Sequence, residues 1–227
     1  MMQKEQHFYN IEKFISSSLK SHQVLHINLS SDKKIDDDNN NIVTHNYIIR
    51  LNEFLRIFKE ICGKTKNKST KIDDEGASVL SSALAKCTNL ANLTLNLEQN
   101  QIGDKGTSDL SSGLAKCTNL SNLALHLYQN KIGAAGASSL GSDLGKCSNL
   151  SNLTLNLSKN KIDAVGASGL GSGLAQCSSL SNLTLNLSQN QIGDEGTSGL
   201  GSGLAKCTNL SSLTLDLQQN EFICLGL

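Results

Sequence analysis

Two hydrophobic periods alternate along most of this chain. In Leu93-Thr94-Leu95-Asn96-Leu97 leucine takes every second position, which predicts a strand with its leucines on one face and Thr94 and Asn96 on the other. Around it the spacing changes. Asp74 precedes Gly-Ala-Ser, and Leu80, Leu84 and Cys87 follow three or four residues apart, predicting a helix with one apolar stripe. Asp74, Asp104 and Asp194 are the expected helix N-caps. Leu90 closes the turn back to the next strand. The unit returns every 30 residues, marked by Ile72, Ile102, Ile132, Ile162, Ile192 and then Phe222, and by Cys87, Cys117, Cys147, Cys177 and Cys207. A fixed period of this size means stacked supersecondary units rather than one globular core. Strands joined by crossover helices run parallel and wind right-handed. Broad helices outside and closely spaced strands inside curve the stack, so the strands line the concave side.

Residues 1–71 keep the pattern only loosely. Phe8, Ile11, Ile15 and Leu19 share a helical face, and Leu25-His-Ile27-Asn-Leu29 alternates like a repeat strand, with Asp32 where the repeats have asparagine. Asp36–Asn41 is a polar insertion, read as a solvated loop. From Val43 to Cys62 a wide apolar stripe including Tyr47, Ile48, Leu51, Phe54, Leu55 and Phe58 predicts a helix. Its expected role is to cap the open face of the first repeat; the alternative is a partner-binding helix. Gly63–Lys71 is basic and lacks apolar residues. Its Gly63-Lys64-Thr65 matches only the end of a phosphate-binding loop, since Phe58 stands at that motif's first glycine, so a solvated linker is expected. The chain thus divides into 1–71, a degenerate first repeat, helical cap and basic linker, and 72–227, an array truncated after its last strand. There Phe222-Ile-Cys-Leu-Gly-Leu227 replaces the start of a helix. The expectation is either a fragment of a longer array or an apolar end that packs on a partner or on a second copy.

Leu95, Leu97, Asn100 and Ile102 fill the last four slots of the signature Leu-x-x-Leu-x-Leu-x-x-Asn-x-Leu, and later units repeat them. The array over about 72–222 therefore resembles the leucine-rich repeat family. The helical half, as in Ile192-Gly-Asp-Glu-Gly-Thr-Ser-Gly-Leu200, is similar to the ribonuclease-inhibitor-like subfamily. The signature's first leucine slot departs: it holds Asn92, Asn122, Asn152 and Asn182, read as a longer strand that keeps its inside/outside parity. The resemblance implies an α/β, right-handed, curved leucine-rich repeat solenoid with a parallel concave sheet, convex helices and a helical N-terminal cap. It also implies a structural role for Asn100, Asn130, Asn160, Asn190 and Asn220, whose amides would satisfy backbone groups in the turn after each strand. Similar arrays occur in protist proteins, sometimes beside a kinase domain.

Charge and composition narrow the function. Net charge is zero, which gives no general attraction to nucleic acid or anionic membrane. No signal-peptide pattern opens the chain, and no run is long and apolar enough to span a bilayer. Five of the seven cysteines occupy one repeat slot and lack metal-ligand spacing, so buried reduced thiols in a cytoplasmic protein are expected. Asn-x-Ser/Thr matches at Asn92, Asn152, Asn156, Asn182 and Asn186 fall inside strands and are read as chance. The glycines of the later helices, such as Gly171, Gly173, Gly201 and Gly203, keep the period and are not a nucleotide loop. Each costs roughly 1 kcal/mol of helix preference, so the helices after Ile162 are expected to be locally weaker than Asp74–Cys87. No nucleophile elbow, catalytic Cys–His pair or dinucleotide fingerprint is present, so no catalytic residue, metal site or cofactor is expected. The repeats also lack the arginine that phosphate stabilisation draws on.

What remains is a non-catalytic scaffold that binds a protein partner on the concave face. Thr94, Asn96, Glu98, His126, Tyr128, Asn156, Ser158, Asn186 and Asp216 are the expected strand-face contacts, with Lys131, Lys159 and Lys161 along the adjoining loop edge, opposite in character to Glu98. The second repeat breaks the pattern. His126 and Tyr128 replace the usual Asn and Ser or Glu, and tyrosine is enriched at binding hot spots, so 126–131 is the expected centre. The rival reading is a repeat segment of a larger signalling protein, kinase-associated or regulating a GTPase.

Overall fold

The computed structural model describes Val24–Asn28, Tyr47–Ile48 and residues 71–220. Most of the expected cap helix, the helical face at 8–19, the insertion at 36–41, nearly all of the basic linker and the apolar end at 222–227 lie outside them. Within them, one parallel seven-stranded sheet runs in the order β2-β1-β3-β4-β5-β6-β7. The strands are β1 (Val24–Asn28), β2 (Tyr47–Ile48), β3 (Asn92–Asn96), β4 (Asn122–His126), β5 (Asn152–Asn156), β6 (Asn182–Asn186) and β7 (Ser212–Asp216). Helices α1 (Asp74–Leu84), α2 (Asp104–Leu114), α3 (Ala134–Leu144), α4 (Ala164–Leu174) and α5 (Gly193–Leu204) form the second layer, each crossing over to the next strand. This is the α/β solenoid expected of the repeat.

Register carries the period across the sheet, with Leu93 opposite Leu123 and Leu95 opposite Leu125, and so on to β7. The degenerate strand joins it in phase: Leu25 lies opposite Leu93 and Ile27 opposite Leu95. Tyr47 and Ile48 differ from expectation. Placed on the helical stripe by their spacing, they instead form β2, opposite Leu25 and His26. An edge strand offers unpaired N–H and C=O groups, and an aromatic followed by a β-branched residue suits a strand, so pairing overrides the helical period there.

The core is one continuous stripe between sheet and helices. In a typical unit Leu93, Leu95, Leu97, Ile102, Leu110, Leu114, Cys117 and Leu120 are all at most 2% exposed. Burying each leucine or isoleucine stabilises the fold by about 2 kcal/mol. The five repeat cysteines are free and buried, and act as more than apolar filler. The Cys117 and Cys177 thiols donate to the carbonyls of Leu84 and Leu144 at 3.3 and 3.2 Å, reaching the helix end of the preceding unit. At the last strand the covering thins, and Leu213 and Leu215 are 46% and 38% exposed.

After each strand the chain turns through a left-handed residue: Gln99, Gln129, Lys159, Gln189 and Gln219 have φ between 53° and 59°. This conformation costs a non-glycine residue roughly 1–2 kcal/mol. The next residue, the asparagine of the repeat, offsets it. The Asn130 amide oxygen accepts from the Ile102 N–H at 3.0 Å, while its amide nitrogen donates to the carbonyls of Leu97 at 2.9 Å and Leu127 at 3.1 Å. Asn100, Asn160 and Asn190 make the same pattern of bonds to the isoleucine N–H and to strand-end carbonyls. The column stitches each unit to its neighbour.

The helix starts are organised differently from expectation. The N-caps are Asp73, Gly103, Gly133, Asp163 and Ile192; Asp74 and Asp104 sit one residue inside their helices. Their carboxylates serve the next unit. Asp74 Oδ1 accepts from the N–H groups of Gly103 (2.6 Å) and Gly106 (3.0 Å), and Asp104 Oδ1 from those of Gly133 (2.7 Å) and Gly136 (2.9 Å). A glycine cap has no side chain, so the neighbour supplies one. Where the cap is Asp163, it accepts from Gly166 N–H itself, and the preceding unit carries Ala134 at the donor-facing position. The last helix has neither arrangement. Ala164 precedes it, Gly193 stands at φ 62°, and no side chain caps it. Ala164→Asp is therefore expected to cap α5 in trans and raise stability by about 1 kcal/mol. The urea midpoint measures this, and an unchanged midpoint would refute the relay.

The glycines of the later helices are packing positions. A Cβ on Gly173 would stand 2.2 Å from the Gly141 carbonyl carbon, and one on Gly203 would stand 2.3 Å from that of Gly171. Backbone meets backbone here, so α3, α4 and α5 approach more closely than side chains would allow. Gly173→Ala gains helix preference yet is expected to lose about 1–2 kcal/mol net, because the strain of overpacking exceeds that gain. Gly201→Ala, whose Cβ would meet nothing within 4 Å, is expected to gain up to about 1 kcal/mol. Equal shifts for the two in thermal denaturation would mean the glycines are not packing devices.

Candidate functional site

Alternation turns one side of every strand outward, and the concave row begins earlier than expected. Asn92, Asn122, Asn152 and Asn182 open their strands on that face, in line with Thr94 and Asn96 and their equivalents. The Asn122 amide donates to Asn92 Oδ1 at 2.5 Å, Asn152 to Asn122 likewise, and Asn182 to Asn152 at 2.6 Å. Each amide also reaches the preceding serine hydroxyl at 3.1 Å. This ladder occupies the departing signature slot. Its sequence signal was the same asparagine recurring in phase with the strand alternation.

Among the expected contacts, Thr94, Asn96, Glu98, His126, Tyr128, Asn156 and Asn186 are half-buried on this face, as is Asp216 in β7. Several are already engaged. Asn96 Oδ1 accepts from the Glu98 N–H at 3.0 Å, Asn186 Oδ1 from the Ser188 N–H at 2.9 Å, and Asp216 Oδ1 from the Gln218 N–H at 3.0 Å. In the third unit Asn156 Oδ1 takes both the N–H of Ser158 and its hydroxyl, at 3.1 and 2.6 Å. Ser158 is only 5% exposed, so it is withdrawn from the surface it was expected to present. A short polar residue closes the strand end on itself in each of these units.

The second unit does not close this way. His126 lies between Asn96 and Asn156 in the sheet register, without a side-chain oxygen to accept from the turn. Tyr128 follows it, and the ladder continues past the strand ends, Gln99 N–H donating to the Tyr128 carbonyl at 2.8 Å. The Lys159 ammonium lies 5.7 Å from the centre of the Tyr128 ring and donates to Gln129 Oε1 at 3.3 Å. Lys131 stands on the loop rim, where it donates to Gln101 Oε1 at 3.3 Å. The structure thus sets Lys159 against Tyr128, while Lys131 reaches back to Gln101 in the preceding unit and Glu98 lies one strand away. Lys159 holding Tyr128 was not foreseen, because the pair arises only when adjacent units stack.

Other titratable groups serve the fold. Asp143, 7% exposed, takes the place of an alanine or glycine between α2 and α3. Burial alone pushes its carboxyl up, but hydrogen bonds from Lys146 at 2.7 Å, Ser111 at 2.7 Å and Ser112 at 3.1 Å outweigh it and hold the carboxyl below its ordinary value. Burial pushes the Cys117 and Cys177 thiols up to about 12, unsuited to nucleophilic work. Among the described residues no three His, Cys, Asp or Glu side chains are grouped as a metal site requires, and no helix is long and apolar enough to cross a membrane.

Residues 89–111, 149–171 and 179–201 each match a family model described as Leucine Rich repeat. No curated protein matches the chain. Each matched stretch runs from the return turn through a strand and its asparagine into the following helix, the unit whose bonds are set out above, and the fold of the described array is accordingly that of a leucine-rich repeat solenoid.

Proposed function

We propose that the array is a non-catalytic scaffold that binds a protein partner on its concave face, centred on His126 and Tyr128. One observation carries this reading: the strand-end row closes on itself in the neighbouring units, and that closure is interrupted where an imidazole and a phenol stand. Tyrosine brings apolar area and a hydroxyl at small entropic cost, as a binding centre requires. Thr94, Asn96, Glu98, Asn156, Asn186 and Asp216 form its polar surroundings, and Lys131 the rim. A helix in every unit supports the ribonuclease-inhibitor-like branch, and buried free thiols support a reducing, cytoplasmic setting.

The test is affinity capture with the intact array beside its His126→Ala, Tyr128→Ala double variant. Loss of captured proteins from the variant, with an unchanged denaturation midpoint, is the expected result. Identical captures would overturn the assignment. A second reading is favoured by Leu213 and Leu215, exposed where their counterparts in β3 to β6 are at most 2% exposed: association of the β7 edge with a second copy. Sedimentation showing monomer at every concentration would remove it.

A further inference from the structure

The concave centre borders an uncompensated run of positive charge. Lys131, Lys159 and Lys161 are exposed in the loops after β4 and β5. The equivalent positions in the two flanking units hold Gln99, Gln101, Gln189 and Gln191, so the cations of these adjacent loops are bordered by neutral side chains on both sides. Adjacent strands stand about 4.8 Å apart, so the backbones that carry the three lysines lie side by side and form a short ledge at the strand ends. Among the described residues none of the three makes an ion pair; the two pairs there are Lys105 with Asp109 and Lys146 with Asp143, both on helices or their ends. Neutral groups hold two of them instead. Lys159 is fixed between the Tyr128 ring and Gln129 Oε1, and Lys131 rests on Gln101 Oε1. Ammoniums held in place without a counter-ion lose less freedom when they meet an anion.

We propose that this ledge receives an acidic, extended segment of the partner chain, its carboxylates on Lys131, Lys159 and Lys161 and an apolar side chain against Tyr128. The inference rests on the concave-face reading above and names the partner chemistry at that site. A peptide fits better than a nucleic acid. Three lysines neutralise few phosphates, Glu98 lies one strand away, and net charge is zero. Glu98 also sets one limit of the ledge, since a carboxylate placed there would meet like charge.

Fluorescence anisotropy of a labelled peptide of alternating Glu and Leu, and of its counterpart with Gln for Glu, decides the matter on the full chain. The acidic peptide is expected to bind on the order of tenfold more tightly than the amide form, and that margin is expected to vanish in the Lys131→Gln, Lys159→Gln, Lys161→Gln variant. Added salt should weaken the acidic probe alone. Equal binding of the two peptides, no binding of either, or an unchanged margin in the variant would overturn the proposal. So would tighter binding of a single-stranded oligonucleotide than of the acidic peptide. The underlying reading has its own marker. If Tyr128→Ala abolishes partner capture while the lysine variant does not, the acidic segment falls and the concave site stands; if neither changes capture, both fall.

Discussion

Raising the pH from about 9 to about 11 is expected to destabilise this array progressively, and the cysteine ladder is the reason. Burial, which disfavours the thiolate, pushes the Cys87 and Cys147 thiols up to about 11, with Asp143 adding to the effect at Cys147. Burial again, followed by the neighbouring thiols of the ladder, raises Cys117 and Cys177 to about 12, and Cys207 is also raised. The ordinary value is 9.0. Above that value the unfolded chain has given up protons that the folded chain still holds. The unfolded state then binds fewer protons, so stability falls as pH rises. The contribution is fully present below pH 9 and is lost as pH climbs through the folded values. The limiting slope is about 1.4 kcal/mol per pH unit for each thiol. Even half of that, summed over the ladder, reaches several kcal/mol by about pH 11, comparable with the roughly 5–15 kcal/mol that holds a domain together. Urea midpoints should be flat below pH 9 and fall steeply above it. The Cys117→Ala, Cys177→Ala variant should be less stable at neutral pH but show a shallower alkaline slope. A wild-type midpoint that stays level to about pH 11, or an unchanged slope in the variant, would mean the thiols are not protected by the stack.

The repeat itself was readable because its signals are local. Leu93, Leu95 and Leu97 alternate within five residues, and Leu110, Leu114 and Cys117 keep helical spacing, so each element carries its own period. What escaped depends on two units at once. Asp74 beside glycine looks like a cap for its own helix, yet its carboxylate reaches Gly103 and Gly106. The exchange of Asp for Ala at position 134 alongside Gly for Asp at position 163 was present in the letters, but only the stack gives it meaning. The glycine pairs Gly141 and Gly173, and Gly171 and Gly203, read locally as weakness and prove to be where neighbouring helices touch. Tyr47 and Ile48 fit a helical stripe until β1 offers them an edge.

The concave face divides in the same way. Its position follows from strand alternation, and His126 and Tyr128 stand out by composition alone. Which side chains remain available does not. Ser158 and Asn156 consume each other's hydrogen bonds, and Lys159, one residue past the strand row, becomes part of the site by reaching Tyr128 in the neighbouring unit.

Asn190→Ala is expected to lower stability by about 3 kcal/mol without any change on the concave surface. Asn190 is 4% exposed, and its amide is fully committed. Its oxygen accepts from the Ile162 N–H at 3.0 Å, and its nitrogen donates to the carbonyls of Leu157, Leu187 and Ser188 at 3.0, 2.9 and 3.2 Å. Truncation leaves a buried N–H and two buried carbonyls without that partner, each costing about 1–3 kcal/mol unless water enters. It also removes the support behind Gln189, whose left-handed backbone at φ 56° is tolerated because the turn is over-determined. Asn190→Asp separates the two halves of the amide. The acceptor for Ile162 survives, but a carboxylate now faces the carbonyl oxygens of Leu157 and Leu187. That variant should be the less stable of the two at neutral pH and should regain stability on acidification, as the protonated carboxyl becomes a donor again. Thr184→Ala, on the exposed row of the same strand, should move the midpoint by no more than about 0.5 kcal/mol. If the asparagine column were a ligand ladder, Asn190→Ala would behave like Thr184→Ala in denaturation and differ only in binding; a midpoint shift within that half kilocalorie would therefore overturn the structural assignment.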